Sequence, residues 1–361
     1  MCLCKVLKSK AKQSLVRVHL AFGFWILSGG FAQGQELGAI VNTNGTGVTF
    51  RVWAPNATNV VVRGQFNDWG DLAMTKDPAT GIWTVSNSAA QTGQEYKYFM
   101  QWPGNSAGAW QNDPRALWIR NGNSVIYDHN AFSWSNVTRP SIPVDRQVMY
   151  EMHIGTFYDP DPSDNRPGTF DNAIQRLSYL QRMGVNVLAL MPVSEFFTLT
   201  SWGYNPQYLF AVEDSYGGPD GLKRFVREAH RLGMKVQLDV VHNHYGSAPE
   251  TVELMQFAGT NSYFYDPNIR VGRTKWGPRP NYADTNVRSF IQDNIRMFLD
   301  HYRIDGFRWD SPQNFMGYDN STNNKSIGDV GDPNTAIPEG KSLMSVGMLY
   351  VRVFVCVHLL S

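Results

Sequence analysis

Two short phrases in the C-terminal half of the chain carry residue types able to make and break covalent bonds. Gly306-Phe307-Arg308-Trp309-Asp310 sets an arginine two residues before an aspartate, and Asp239-Val240-Val241-His242-Asn243-His244 gathers a carboxylate, an amide and two imidazoles. Along a strand, side chains alternate, so Arg308 and Asp310 share one face while Phe307 and Trp309 take the other. An arginine that close holds a carboxylate ionised at neutral pH, the state a nucleophilic aspartate needs. Structural Arg/Asp pairs have the same spacing, so the reading rests on the pair together with Asp239, His244 and the loop Ser201-Trp202-Gly203-Tyr204-Asn205-Pro206. His242 and His244 beside Asp239 invite a zinc reading, but no third ligand at metal-type spacing accompanies them, and no zinc is expected.

Alternating strands and amphipathic helices must position these residues. After the Pro/Ser-containing linker 138–146, the pattern reads as strand 148–154, helix 173–183, strand 185–193, helix 220–232, strand 234–241, helix 286–302 and strand 304–310. The strands are nearly continuous apolar runs, as expected where both faces are covered. Serial strand–helix units predict a parallel sheet, either doubly wound or a barrel, and the polar phrases fall at the C-terminal strand ends where barrel enzymes place their chemistry.

On these motifs, in this order and spacing, residues 147–344 resemble the α-amylase family of retaining glycoside hydrolases and transglycosylases. The resemblance implies that Asp310 is the nucleophile and Arg308 orients it. It implies that Asp239 and His244 contact the sugar at the cleavage point and that Tyr204 stacks beneath that sugar. Asn243 matches a calcium ligand of many amylases, but branching-type members often lack the ion, so no cofactor is expected and calcium stays open. The acid/base glutamate and the later stabilising aspartate of the family have no counterpart in the chain. Glu339 lies at a helix start after the fourth strand and is not that acid.

Ahead of the linker, residues 36–137 are short alternating segments between Gly, Pro and Asn: 48–53, 60–63, 81–85, 95–100 and 124–127. These predict a β-sandwich of immunoglobulin-like type. With Gly64-Gln65-Phe66-Asn67-Asp68-Trp69, Tyr96-Lys97-Tyr98 and Asp113-Pro114, the segment resembles the glycogen- and starch-binding module that precedes the barrel in branching and debranching enzymes. That resemblance implies glucan contacts at Trp69, Lys97, Trp102 and Asn123, where an indole covers the apolar face of a pyranose. Packing of these tryptophans in a core is the plainer alternative.

Composition narrows the remaining classes. A formal net charge of +1 with 17% charged residues leaves no basic surface of the size that phosphate contacts require, so no nucleic-acid partner is expected. Cys2, Cys4 and Cys356 lie near the termini, so no disulfide framework spans the middle. Residues 1–34, with Lys5, Lys8, Lys10, Lys12 and Arg17 ahead of an apolar run and small residues, read as a secretory signal. The run is shorter than the about 20 residues that span a bilayer, so a secreted or periplasmic mature chain without a membrane anchor is expected.

The expected architecture is thus a β-sandwich followed by the first four strands of a (β/α)8 TIM barrel, with a divergent tail at 345–361. Half a barrel leaves two sheet edges open and predicts poor solubility or dependence on a partner. The expected function is an α-glucan-active branching enzyme or α-amylase acting on starch or glycogen, with this chain a truncated, inactive fragment. A noncatalytic glucan-binding protein is the alternative from another class, and an unrelated parallel α/β protein the third.

Overall fold

The computed structural model describes residues 36–350 apart from 44–45, 197–200, 247–256, 258–261, 265–269, 273, 275 and 318–335. The expected signal at 1–34 and the end of the tail, 351–361, lie outside the described residues.

Ten strands form the first layer pair: β1 (Gly38–Val41), β2 (Val48–Trp53), β3 (Asn59–Gly64), β4 (Leu72–Ala73), β5 (Thr75–Lys76), β6 (Ile82–Asn87), β7 (Glu95–Trp102), β8 (Asn105–Gln111), β9 (Ile119–Arg120) and β10 (Asn123–Val125). They pair antiparallel in two sheets, β1-β2-β6-β5 and β4-β3-β7-β10-β9, with β8 added against β7. Alternation decides which faces meet: Val48, Phe50 and Val52 of β2 are buried while Thr49 and Arg51 are half-exposed. Val60 and Val62 of β3, and Tyr96, Tyr98 and Met100 of β7, close the other side of the core. Phe50 meets Tyr96 across it at a ring separation of 5.1 Å. The short strands β1, β4, β5 and β9, and the longer β8, escape a reading by alternation. β8, Asn-Ser-Ala-Gly-Ala-Trp-Gln, has few side chains to bury and is held by its ladder to β7.

The second part carries β11 (Met149–Met152), α1 (Ile154–Phe157), α2 (Phe170–Ile174), α3 (Leu177–Arg182), β12 (Val187–Leu190), β13 (Ser194–Phe196), β14 (Pro206–Val212), α4 (Gly218–Arg231), β15 (Lys235–Val240), α5 (Thr285–Asp300), β16 (Gly306–Trp309), α6 (Gln313–Met316) and α7 (Pro338–Tyr350). Four of the strands form one parallel sheet in the order β11-β12-β15-β16, as the strand–helix alternation predicts. Helix α4 shows how the sequence drives this packing: Leu222, Phe225, Val226 and Ala229 recur at helical spacing and are all buried. The two edge strands differ in dress, because Val148, Met149 and Tyr150 at β11 are 51%, 50% and 37% exposed, an unusual state for a strand that should be covered.

Two elements differ from expectation. The single helix 173–183 is two short helices. Their junction is turned by Gln175 N–H to the Asn172 carbonyl at 3.1 Å and Arg176 N–H to the Ala173 carbonyl at 3.0 Å, tighter bonds than an α-helix makes. The hairpin β13–β14 interrupts the strand–helix rhythm, and its apolar strand Pro206-Gln-Tyr-Leu-Phe-Ala-Val was not separable from a helix segment by periodicity.

The sandwich and the parallel sheet share one continuous core. Polar bonds lace the seam: Arg115 pairs with Asp293 at 2.8 Å, the Tyr127 hydroxyl donates to Asp220 at 2.7 Å, and Lys223 donates to the His129 carbonyl at 2.9 Å. The linker is fastened too, with Lys235 donating to the Ile142 carbonyl at 3.0 Å.

Candidate active site

The C-terminal ends of β15 and β16 bring the two chemical phrases together. Their register sets Asp239 opposite Arg308, and the Asp310 N–H continues the ladder to the Val240 carbonyl at 3.0 Å. Arg308 thereby lies between two carboxylates. Its Nη1 forms an ion pair with Asp239 and approaches Asp310 Oδ1 at 3.4 Å. The Arg308–Asp310 face expected from alternation is present, but the closer partner of the guanidinium is Asp239, 69 residues away in sequence and so invisible to local spacing.

Tyr204, on the loop ahead of β14, donates its hydroxyl to Asp239 Oδ2 at 2.7 Å. Burial first, then the Asp239 charge, push this phenol above its ordinary range. Its backbone carbonyl meets His244 Nε2 at 3.0 Å, so the loop and the strand end are tied at both ends of one residue. His244 is 2% exposed, and burial pushes its pKa down while Asp310 and the Tyr204 carbonyl oppose that shift. His242, two residues earlier, points elsewhere: its Nε2 meets Asn294 Oδ1 of α5 at 2.9 Å, and burial pushes it down to about 4. The zinc reading therefore has no geometric support, and no group of three or more His, Cys, Asp or Glu able to hold a metal ion occurs among the described residues.

Asn243, fully buried, has a partner that sequence reasoning did not supply. Its Nδ2 donates to the Asp310 carbonyl at 2.9 Å and to Asp310 Oδ2 at 3.0 Å, while its Oδ1 faces His244 Nδ1 at 2.6 Å. Both ends of the amide are engaged inside the site. Asn243 thereby fixes the Asp310 carboxylate.

Asp239 is the electrostatic oddity. Burial pushes its carboxyl up to about 7 against the pull of Arg308 and the Tyr204 hydroxyl. Its Oδ1 is buried without a hydrogen-bond partner, so the ion pair with Arg308 and the Tyr204 hydroxyl offset the burial of the charge only in part. An unfolded aspartate loses its proton near pH 4, so between about pH 4 and pH 7 the native state binds the extra proton and stability falls as pH rises. The non-ionising Asp239→Asn is expected to lack that decline. Thermal midpoints of the two proteins at pH 4.5 and 7.5 test this: a difference that does not change between the two pH values would remove Asp239 as the titrating group.

On the sandwich, the turn Gln65–Asn67 presents Trp69. The Gly64 N–H donates to Asn67 Oδ1 at 2.9 Å and Asn67 Nδ2 donates to the Gly70 carbonyl at 2.7 Å. Trp69 itself has φ of 59°, a left-handed backbone that is rare for a bulky residue and is associated with functional sites. Its ring lies 6.1 Å from that of Trp110, which is 43% exposed and continues to Phe99 at 5.8 Å, with Arg63 4.7 Å above the Trp110 ring. Lys97 shares the outward parity of Phe99 on β7, its neighbours Tyr96 and Tyr98 being buried. Asn123 donates to Glu95 Oε2 at 2.8 Å, on the strand paired with β7.

Trp102 does not join this face. It packs against the hydrophobic core beyond an irregularity in the β7–β8 register, and Trp110, paired with Phe99, takes the place expected for it. That pairing was the missing signal: β8 lacks the alternation that would have revealed which tryptophan faces out.

Both parts of the chain match known families. Residues 36–116 match carbohydrate-binding module 48, the isoamylase N-terminal domain, and residues 136–267 match the catalytic domain of alpha amylase. The chain is 34% identical to a malto-oligosyltrehalose trehalohydrolase of Saccharolobus solfataricus over 271 residues, 73% of this chain and 44% of that protein. It is 35% identical to a 1,4-alpha-glucan branching enzyme of Rhodospirillum rubrum over 288 residues, 76% of this chain and 38% of that one. The crystal structure of a pullulanase complexed with maltotetraose, from Anoxybacillus sp. LM18-11, superposes with a TM-score of 0.66 at 28% identity, covering 78% of this chain and 45% of the pullulanase. The chain thus spans less than half the length of these relatives. It carries a carbohydrate-binding module 48 followed by part of an alpha-amylase catalytic domain.

Proposed function

We propose that this chain contributes to an α-glucan-active glycosidase or glucanotransferase, of branching-enzyme or α-amylase type, that works on starch or glycogen by retaining double displacement. The convergence of Asp310, Arg308, Asp239, Tyr204 and His244 at the ends of two neighbouring parallel strands carries the proposal.

On this reading Asp310 attacks the anomeric carbon of a glucosyl unit, the glycosidic C–O bond breaks as the covalent glycosyl–Asp310 ester forms, and the leaving oxygen takes a proton from a second carboxyl group. Water or a sugar hydroxyl then displaces Asp310. Arg308 and Asn243 aim the nucleophile, while Tyr204 and His244 seat the sugar. Retaining chemistry needs its second carboxyl about 5–5.5 Å from the first, on the far side of the scissile bond. Among the described residues, the carboxylates joined to Arg308 are Asp239 and Asp310. Asp239, pinned by Arg308 and Tyr204, is held as a sugar contact and not as that acid.

The 361-residue chain by itself is therefore expected to bind α-glucan without turning it over. An assay on soluble starch, scoring reducing ends and iodine staining together, tests this against a lengthened reading frame as control. Turnover by the 361-residue chain would place an acid/base carboxyl within it, while activity confined to a longer form separates hydrolysis from branching by which readout moves. The names of the relatives divide between branching enzyme and trehalohydrolase and do not choose for this chain. Export through residues 1–34 is a further element of the proposal, supported by the basic and apolar segments there. N-terminal sequencing of secreted protein, showing a start near residue 35, tests it.

The outward tryptophans support glucan binding by the module, and they would serve a noncatalytic binder equally well. Trp69→Ala and Trp110→Ala are each expected to reduce retention on insoluble starch about tenfold, as loss of one stacked ring should. Trp110→Ala should cost more than Trp102→Ala. Equal losses at 102 and 110 would overturn the assignment of the outer face.

A further inference from the structure

A third tryptophan stands beside the catalytic cluster without belonging to any core. Trp276 is 38% exposed, and its ring centroid lies 5.6 Å from that of His244 at an interplanar angle of 33°. Its indole N–H makes no hydrogen bond among the described residues. Beside polar groups that can bond hydroxyls, an indole exposed to this extent offers a ligand a flat apolar face.

The backbone that carries Trp276 is held firmly. Thr274 N–H donates to the Gly277 carbonyl at 3.0 Å, and the Thr274 hydroxyl oxygen accepts from Trp276 N–H at 3.2 Å and from Gly277 N–H at 3.1 Å. This turn presses onto the end of the strand that bears the site, because a Cβ at Gly277 would fall 1.9 Å from the Tyr245 carbonyl oxygen, a contact only glycine permits. Tyr245 N–H in turn donates to the Pro278 carbonyl at 3.3 Å, and Gly246 N–H to the Pro206 carbonyl at 3.1 Å. The loops that bear Tyr204, His244 and Trp276 are thus bonded to one another, and the indole keeps a fixed place relative to the imidazole.

We infer that Trp276 is a sugar-stacking residue of the glucan site, covering the apolar face of the glucosyl unit next to the one seated by Tyr204 and His244. The inference rests on the α-glucan reading above and adds a residue outside the phrases that suggested it. A pyranose ring presents axial C–H groups to a flat aromatic, and an α-linked chain running past His244 meets the exposed indole before it reaches solvent. The free indole N–H is left to bond a sugar hydroxyl at the rim.

The test uses the whole chain carrying Trp69→Ala and Trp110→Ala, so that the module does not mask the second site, with maltotetraose as the probe in isothermal titration. Adding Trp276→Ala is expected to weaken binding about tenfold, and Trp276→Phe, which keeps a ring, by no more than about threefold. Matching urea-unfolding midpoints establish that the variants fold, and Trp276→Phe serves should the alanine variant be unstable. Unchanged affinity in Trp276→Ala overturns the inference. Loss of all maltotetraose binding in the Trp69/Trp110 parent, when the wild-type chain binds, also overturns it but leaves the module reading intact. A wild-type chain that binds no maltotetraose removes the α-glucan reading itself.

Discussion

Asp310→Asn, introduced into a form of the protein that turns over starch, is expected to lower turnover by about four orders of magnitude or more and to leave maltotetraose binding within a few fold. The substitution is nearly isosteric and its surroundings tolerate it. The side-chain oxygen of an asparagine can still accept from Asn243 Nδ2, the second Asn243 bond runs to the residue 310 backbone carbonyl, and Arg308 retains Asp239 as its nearer partner. What disappears is the anionic oxygen that must bond to the anomeric carbon, and an amide cannot replace it. Scoring reducing ends and iodine staining on the variant separates the two effects. Turnover within tenfold of the parent would remove Asp310 from the role, whereas lost turnover with lost binding would place Asp310 in seating the sugar instead of attacking it.

How far these roles are legible in the sequence depends on the distance over which each residue acts. Helices α4 and α5 carry repeated apolar residues at helical spacing, and the parallel strands are short apolar runs, so the expectation of four strands with helices between them needed only local pattern. The shared face of Arg308 and Asp310 is equally local, since two residues on a strand cannot avoid it. The Arg308–Asp239 ion pair and the grip of Asn243 on Asp310 are of another kind: each joins residues more than 60 positions apart, and only strand register brings them together. Asn243, which the resemblance matches to a calcium ligand of many amylases, is accordingly a partner of Asp310 that no local spacing announces. Trp102 was expected on the glucan face by resemblance alone. The strand that carries Trp110 is built of Asn, Ser, Ala and Gly, with no alternation to mark its outward face.

The same dependence on long-range register makes Asp113 the residue whose loss should cost the fold most. Asp113 is 1% exposed, and its Oδ2 accepts hydrogen bonds from the Tyr96 hydroxyl at 2.8 Å and the Tyr98 hydroxyl at 3.1 Å, both tyrosines fully buried. Its Oδ1 accepts from the Arg115 N–H at 2.8 Å, which sets the turn that delivers the Arg115 guanidinium to Asp293 and over the rings of Phe210 and Phe290, 5.0 and 5.4 Å away. One carboxylate therefore closes the sandwich core and aims the seam. Burial pushes its pKa up, so the charge is already held at a cost that those three donors offset. Asp113→Ala strands two phenols in the core and frees the turn, and it is expected to lose about 3–5 kcal/mol of stability, the range for breaking a buried charged network by removing one member. Asp113→Asn should fall between, because turning its oxygen to the tyrosines sets its amide against the Arg115 N–H. Tyr98→Phe, which leaves Asp113 its other donors, should cost about 1 kcal/mol. Urea unfolding of the three variants gives the order directly: a loss under about 1 kcal/mol for Asp113→Ala, or a Tyr98→Phe variant as damaged as it, would mean that the network is not the clasp its geometry describes.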